Sequence, residues 1–422
     1  MTEWTTIQLR DACDSVDYGL TASASSQDTG TRFLRITDIV GHSLSWNDVP
    51  FVVVTEEQTD KYVVSPGDIV IARTGATTGV SRWLGSVPDS AVFASYLVRL
   101  KISDRYDSRF IGYALKGNQY WDYVRGVLGD KSAQPNASAT TLAAAPLRVP
   151  DDLAEQRRIA SVLGALDDKI AADEHLLDTV DDLGKALFER CFAEAFQYVI
   201  DGVSLPAGWK AADLGAATTT VETGSRPRGG VAKYASGVPS IGAESIVRLA
   251  RFDFGKVKYV PEEFFAGMKR GVLQDRDILV YKDGGKPGDF KPHVSMFGNG
   301  FPFTTMCINE HVYRVRMNPE LGQEFGYYWL SSAAIMGEMR RRGTGAAIPG
   351  INSTAVKGIP VVEPPVDRLS EFRSTAEPLV DRALQAAVES RTLATLRDTL
   401  LPQLMSGKLR VRDAERIVED AV

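Results

Sequence analysis

Histidine and cysteine are scarce in this chain: four His and three Cys in 422 residues. Cys13, Cys191 and Cys307 lie far apart without Cys-x-x-Cys spacing, and His42, His175, His293 and His311 include no pair at i, i+4. That pattern predicts neither a disulfide framework nor a zinc site, and it offers no Ser-His-Asp or Cys-His arrangement that spacing would single out. No stretch approaches 18 uninterrupted apolar residues, so no membrane span is expected. The opening Met1-Thr-Glu-Trp-Thr-Thr6 has neither the basic start nor the apolar run of a signal peptide, and the expected location is the cytoplasm.

Nucleotide and cofactor motifs are missing as well. Gly126-Val-Leu-Gly-Asp-Lys-Ser132 lacks the glycine spacing of a P-loop. Phe297-Gly-Asn-Gly300 and Asn299-Gly-Phe-Pro-Phe303 lack the order and the Pro-Pro of adenine-methyltransferase motifs. Asp277 followed by Lys282 lacks the second carboxylate of a metal nuclease; Asp68 occupies the same place upstream, so a strand-initiating Asp is the better account. The sequence therefore assigns no catalytic residue, no metal ligand and no bound cofactor, and it reads as a binder and scaffold rather than an enzyme.

What is present is a repeat. Pro135, Pro146 and Pro150 recur as Pro349, Pro360 and Pro364, an offset of 214 each time. Ser65 to Gly79 aligns with Gln274 to Gly288 at an offset of 209, and Trp4 and Trp209 open the two copies. An offset drifting along the chain is what insertions in surface loops produce. A unit of this length is too long for a solenoid repeat, so the chain is expected to be a duplicated domain-plus-helix with pseudo-two-fold symmetry.

Within each copy, short β-like runs (Phe51–Val54, Asp68–Ile71, Tyr96–Ile102; then Asp277–Tyr281, His311–Arg316) alternate with Gly, Pro, Asp and Ser clusters. One helical stretch is expected at Asp107–Leu128 and its counterpart near Leu321–Arg340. The predicted fold is α+β: two mixed domains at 1–150 and 201–365, joined by two long helices at 151–200 and 366–422 that form an antiparallel coiled coil. The first helix has its apolar seam at Ile159, Leu163, Leu166, Ile170, Leu177, Val180, Leu187 and Cys191, with Asp173 and Gly184 as interruptions. The second has Val380, Leu384, Ala387, Leu393, Leu396, Leu400 and Gln403, a Pro378 that should kink it or mark its start, and a stop at Gly407. About 40 residues of such a pair make roughly 60 Å of spacer.

The net charge of −6 is unevenly placed: residues 151–200 carry −7 and residues 201–365 carry +4. Local basic faces therefore survive on an acidic chain. The candidate contacts to double-stranded DNA are Arg73, Thr74, Thr77 and Thr78 in the glycine-containing turn Arg73–Gly79, where amides can approach phosphates and a guanidinium can reach a guanine edge. The equivalent turn of the second copy supplies Lys282 and Lys286, with Lys291 beyond it, and a basic loop near the start of that copy supplies Arg226 and Arg228. Arg340–Arg342 ends a helix and ranks lower, because such charges also compensate a helix C-terminus.

Ser132-Ala-Gln-Pro-Asn136, Leu142, Pro146, Val149-Pro150 and Leu153-Ala-Glu-Gln-Arg-Arg-Ile159 closely resemble the domain-to-helix junction of the specificity subunits of Type I restriction-modification systems. Ile348–Asn352 through Ile359–Pro365 and Leu369-Ser-Glu371 resemble the same junction again, and Leu400–Val411 is similar to the family's usual ending. The second junction departs in having Phe372 where the first has Gln156. The resemblance implies two target recognition domains, each reading half of a split DNA sequence, and no chemistry in this chain. It implies partners: two methyltransferase (modification) subunits using S-adenosylmethionine and, where the system restricts, motor-nuclease subunits using ATP and Mg. A standalone modifying enzyme and a protein-binding scaffold with paired domains and no DNA target are the competing classes.

Overall fold

The computed structural model describes residues 3–41, 44–129, 135–284, 288–345 and 349–420. The chain divides into two compact bodies, residues 1–171 with 393–422 and residues 172–392. Each is mixed helix and strand.

In the first body the strands are β1 (Trp4–Gln8), β2 (Cys13–Tyr18), β3 (Arg32–Leu34), β4 (Ile69–Ala72), β5 (Ser81–Trp83), β6 (Ala91–Phe93), β7 (Leu97–Ile102) and β8 (Pro146–Pro150). A four-stranded sheet runs β2-β7-β4-β5, β3 pairs β6 in parallel, and β1 pairs β8 antiparallel from Trp4↔Pro150 to Gln8↔Pro146. The second body has β9 (Lys210–Asp213), β10 (Thr218–Thr223), β11 (Val238–Ile241), β12 (Lys258–Val260), β13 (Ile278–Tyr281), β14 (Val294–Met296), β15 (Cys307–Ile308), β16 (Val312–Met317) and β17 (Pro360–Glu363). Its sheet order β10-β16-β13-β14 matches the first, β11 pairs β15 in parallel as β3 does β6, and β9 pairs β17 as β1 does β8. The repeat seen in the sequence is thus a repeat of topology, with β12 as an addition in the second copy.

The shared core has a shared polar device. Arg99 on β7 is buried and pairs with Asp17 on β2 at 2.7 Å, while Arg314 at the same place on β16 pairs with Glu222 on β10 at 2.9 Å and with Asp277 at 2.5 Å. Asp68 and Asp277 do initiate strands: Asp68 accepts the Ser65 amide at 2.9 Å and Asp277 the Gln274 amide at 2.8 Å, turning the chain into β4 and β13.

Two long helical stretches span Leu153–Asp201, which kinks at Phe192 where φ is −126° and ψ 22°, and Val366–Met405. In the first body Ile159, Leu163, Leu166 and Ile170 share a core with Leu393, Leu400 and Leu404; in the second, Leu177, Val180, Phe188 and Phe192 share one with Phe372, Val380, Ala383, Leu384 and Ala387. The start of one helix meets the end of the other in each case, so the packing is antiparallel, in line with a coiled coil.

Several expectations need correction. After Val180 the buried seam moves by one residue, to Asp181, Gly184, Phe188 and Phe192, leaving Leu187 and Cys191 only partly buried. A 3.6-residue helix drifts against a strict heptad, and here buried polar partners for Asp181 fix the new phase. On the second helix Leu404, not the exposed Gln403, fills the last core position, and Leu396 is only partly buried. That helix runs from Val366 through Pro378 without a break. Residues 51–54 form no strand; only Phe51 makes isolated bridges. The expected helix 107–128 is two, Ser108–Ala114 and Asn118–Leu128, parted at Gly117, and its counterpart is Gln323–Ser331 and Ala333–Arg342.

The junction departure also has an account. Gln156 is buried, accepts the Asp107 amide at 3.0 Å and donates to the Pro150 carbonyl at 2.8 Å, stitching helix to domain. Phe372 instead packs edge-on against Phe188 and Tyr328 in an aromatic cluster.

Candidate nucleic-acid interface

The turn that follows β4 is stitched to two other segments by main-chain hydrogen bonds. The Arg73 amide donates to Tyr96 at 3.0 Å, the Ala137 amide to Arg73 at 2.9 Å, and the Gly75 amide to Pro135 at 2.8 Å. The turn that follows β13 repeats all three: Lys282 to His311 at 3.0 Å, Ile351 to Lys282 at 2.8 Å, and Gly284 to Pro349 at 3.0 Å. Equivalent basic residues therefore stand on equivalent scaffolds. A helix braces the first turn, with the Tyr120 hydroxyl donating to Gly79 at 3.0 Å. Gly79 needs its lack of a side chain: its φ is +95° and a Cβ would press on Val124.

The sequence-predicted residues differ in what they offer. Arg73 is half-buried, its Nε donates to the Ala137 carbonyl at 3.4 Å, and its guanidinium carbon sits 4.8 Å from the Tyr18 ring centroid. Thr74 and Thr77 are half-buried in the same turn. Thr78 is buried, and its hydroxyl donates to Gly75 at 2.7 Å and to Pro135 at 3.2 Å, so it holds the turn and offers nothing outward.

In the second body the charges answer one another. Lys282 pairs with Asp283 at 2.7 Å, Asp283 with the His311 imidazole, and Glu310 with Arg226 at 2.6 Å. Burial pushes the Asp283 carboxyl up, but hydrogen bonds from Lys282 and His311 outweigh it and hold the group below the usual carboxylate range. Arg228 is exposed, and Lys291 is exposed beside Asp289 at 3.0 Å. Lys286 lies outside the described residues, as do Ser132, Gln134 and Ile348 of the junction motifs.

Two residues, Tyr18 and Tyr96, escaped the sequence reading, and a third, Arg340, stood low in it. Arg340 is exposed, and burial together with Arg340 and Lys291 holds the His293 imidazole below its ordinary value, which places three basic groups together. Tyr18 and Tyr96 flank Arg73 in the first body and remain well exposed. An aromatic at a strand end is weak evidence in a sequence, since most are core.

Cys13 and Cys307 are poor nucleophiles here. Burial, with Asp14 and Asp11 nearby, pushes the Cys13 thiol up to about 12, and burial pushes Cys307 up to about 11. Among the described residues no group of three or more His, Cys, Asp or Glu could hold a metal ion, and no helix is long and apolar enough to cross a membrane.

Comparison with known proteins gives these features a context. The family model described as the Type I restriction modification DNA specificity domain matches residues 1–181. The Type I restriction enzyme MjaIX specificity subunit of Methanocaldococcus jannaschii is 22% identical over 315 residues, 72% of this chain and 70% of that one. Among solved structures, the S subunit of a Type I restriction-modification system from M. genitalium superposes with a TM-score of 0.57 at 16% identity, covering 96% of each chain. That last likeness is one of fold.

Proposed function

We propose that the chain is a specificity subunit of a Type I restriction-modification system, which its likeness to that family's DNA specificity domain and to one such subunit supports, and that each of its two bodies reads one half of a split double-stranded DNA sequence. Members of the family are non-catalytic components that recognise DNA within a larger complex. In this reading residues 1–150 and 201–365 are the two target recognition domains. The long helices carry the docking surface for two modification subunits, which bring S-adenosylmethionine, and for ATP- and Mg-dependent motor-nuclease subunits in a system that restricts. The complex works in the cytoplasm.

One observation supports this reading most: the same three-bond stitched turn carries a cation in both bodies, at Arg73 and at Lys282. A basic side chain on a rigid, glycine-containing turn is a means of engaging a duplex. Arg73, Thr74 and Thr77 face one half-site and Arg226, Arg228 and Lys291 the other; Lys286, outside the described residues, stays a candidate from the sequence alone. Lys282 serves its own turn first.

The test is to co-express the chain with its modification subunits and map methylated adenines. A bipartite target with two unlike halves is expected, with affinity that falls steeply as salt rises. A purified complex that binds duplexes of every sequence equally would overturn the proposal.

A further inference from the structure

Tyr96 is 60% exposed and Tyr18 is 45% exposed, on a body whose other described aromatics are buried or half-buried. They are not scattered. Tyr96 gives its carbonyl to the Arg73 amide, and Tyr18 lies under the Arg73 guanidinium. The Tyr18 ring is itself held, because its hydroxyl accepts the Ala139 amide at 2.8 Å. Among the described residues no carboxylate pairs with Arg73.

The second body differs at each of these places. Thr223 ends β10 where Tyr18 ends β2, Lys282 replaces Arg73, and His311 replaces Tyr96. Lys282 is paired with Asp283, which in turn holds His311. One turn presents an unneutralised planar cation over an exposed ring, with a second exposed aromatic on the segment its amide bonds to; the other closes its charge on itself.

A guanidinium laid on an aromatic face keeps its N–H edge free and loses little freedom on binding. That edge matches the O6 and N7 acceptors of guanine in the major groove. We propose that Arg73, oriented by Tyr18, reads a guanine in the half-site of the first body, and that Tyr96 packs against the adjacent base pair. In the second body Lys282 is closed on Asp283 and presents no such edge. This rests on the DNA-reading function proposed above and assigns that function to specific side chains.

The experiment compares methylation maps and duplex affinities of the full complex carrying Arg73→Lys, Arg73→Ala, Tyr96→Ala, Tyr18→Phe, Tyr18→Leu or Lys282→Ala, each checked for an unchanged melting temperature. Arg73→Lys and Arg73→Ala should lower discrimination for one guanine of the first half-site by about tenfold to a hundredfold and leave the second half-site intact. Tyr96→Ala should relax the neighbouring position. Tyr18→Phe keeps the ring face but loses its hold on the Ala139 amide and should retain most of the preference, whereas Tyr18→Leu should weaken it further. Lys282→Ala should leave the guanine preference of the first half-site unchanged. If Arg73→Ala weakened binding to all duplexes equally and lowered the salt slope by about one phosphate, Arg73 would be an anchor and the inference would be wrong with the general reading intact. A wild-type complex without sequence preference would overturn both.

Discussion

The Arg397 guanidinium on the second long helix lies 2.7 Å from the Asp167 carboxylate on the first, and the other Asp167 oxygen accepts the Tyr113 hydroxyl at 2.7 Å. Both charges are largely shielded from solvent, so one partner without the other leaves an uncompensated group. Asp167→Ala should cost about 2 kcal/mol, measured by urea unfolding.

The same carboxylate sets a pH dependence. Burial pushes Asp167 up, but Lys116, Arg397 and Tyr113 together hold it below its ordinary value. A lowered folded value means stability that is present above the unfolded carboxylate value, about 3.9, and lost as the pH falls through the folded one. Thermal melts of wild type and Asp167→Asn between pH 7 and pH 3 should therefore converge toward the acid end. Parallel curves would contradict the assignment.

Gly184 is where the first long helix lets Tyr328 in: a Cβ there would overlap the phenol ring. Gly184→Ala should destabilise by about 1–3 kcal/mol through overpacking. The Tyr328 hydroxyl is buried with no partner among the described residues. Tyr328→Phe should accordingly raise the melting temperature, since it removes a polar atom that lost its water.

Asp68 and Asp277 turn the chain in the same way but live differently. Asp277 also holds Arg314 at 2.5 Å and Arg316 at 2.7 Å. Burial pushes the Asp68 carboxyl up, ahead of the Ser65 amide and nearby Arg99 that favour its charge. Asp68→Asn should be tolerated because an amide oxygen still accepts from Ser65. Asp277→Asn should cost about 3 kcal/mol by stranding two arginines. Equal losses in calorimetry would refute the distinction.

Much of this architecture could be read in advance where the cause is local. The strand-starting aspartates, the stop at Gly407 and the 4,3,4 seam over Ile159–Ile170 all follow from short-range geometry. The seam beyond Val180 could not be read, because its phase is set by Asp181 meeting Arg248 at 2.6 Å and the Tyr327 hydroxyl at 2.9 Å, residues far along the chain. Residues 51–54 look like a strand by composition, yet β propensity counts only where a neighbouring strand accepts the pairing. At the candidate interface, alignment of the two copies located Arg73 and Lys282. It could not reveal that Thr78 faces inward, that Asp283 neutralises Lys282, or that Tyr18 and Tyr96 face outward; apart from the adjacent Lys282–Asp283 pair, these depend on segments contributed from elsewhere.

The pairing of first strand with last, Trp4 against Pro150 and Lys210 against Glu363, bears on how such a protein changes. Entry and exit of each repeated domain lie side by side on one two-stranded ribbon. A domain can then be lifted out and replaced by another at two adjacent joints, with the helices left untouched. Under the DNA-reading function proposed above, exchange of a single cassette would give a new half-site in one genetic event, whereas point mutation would have to rebuild a surface residue by residue.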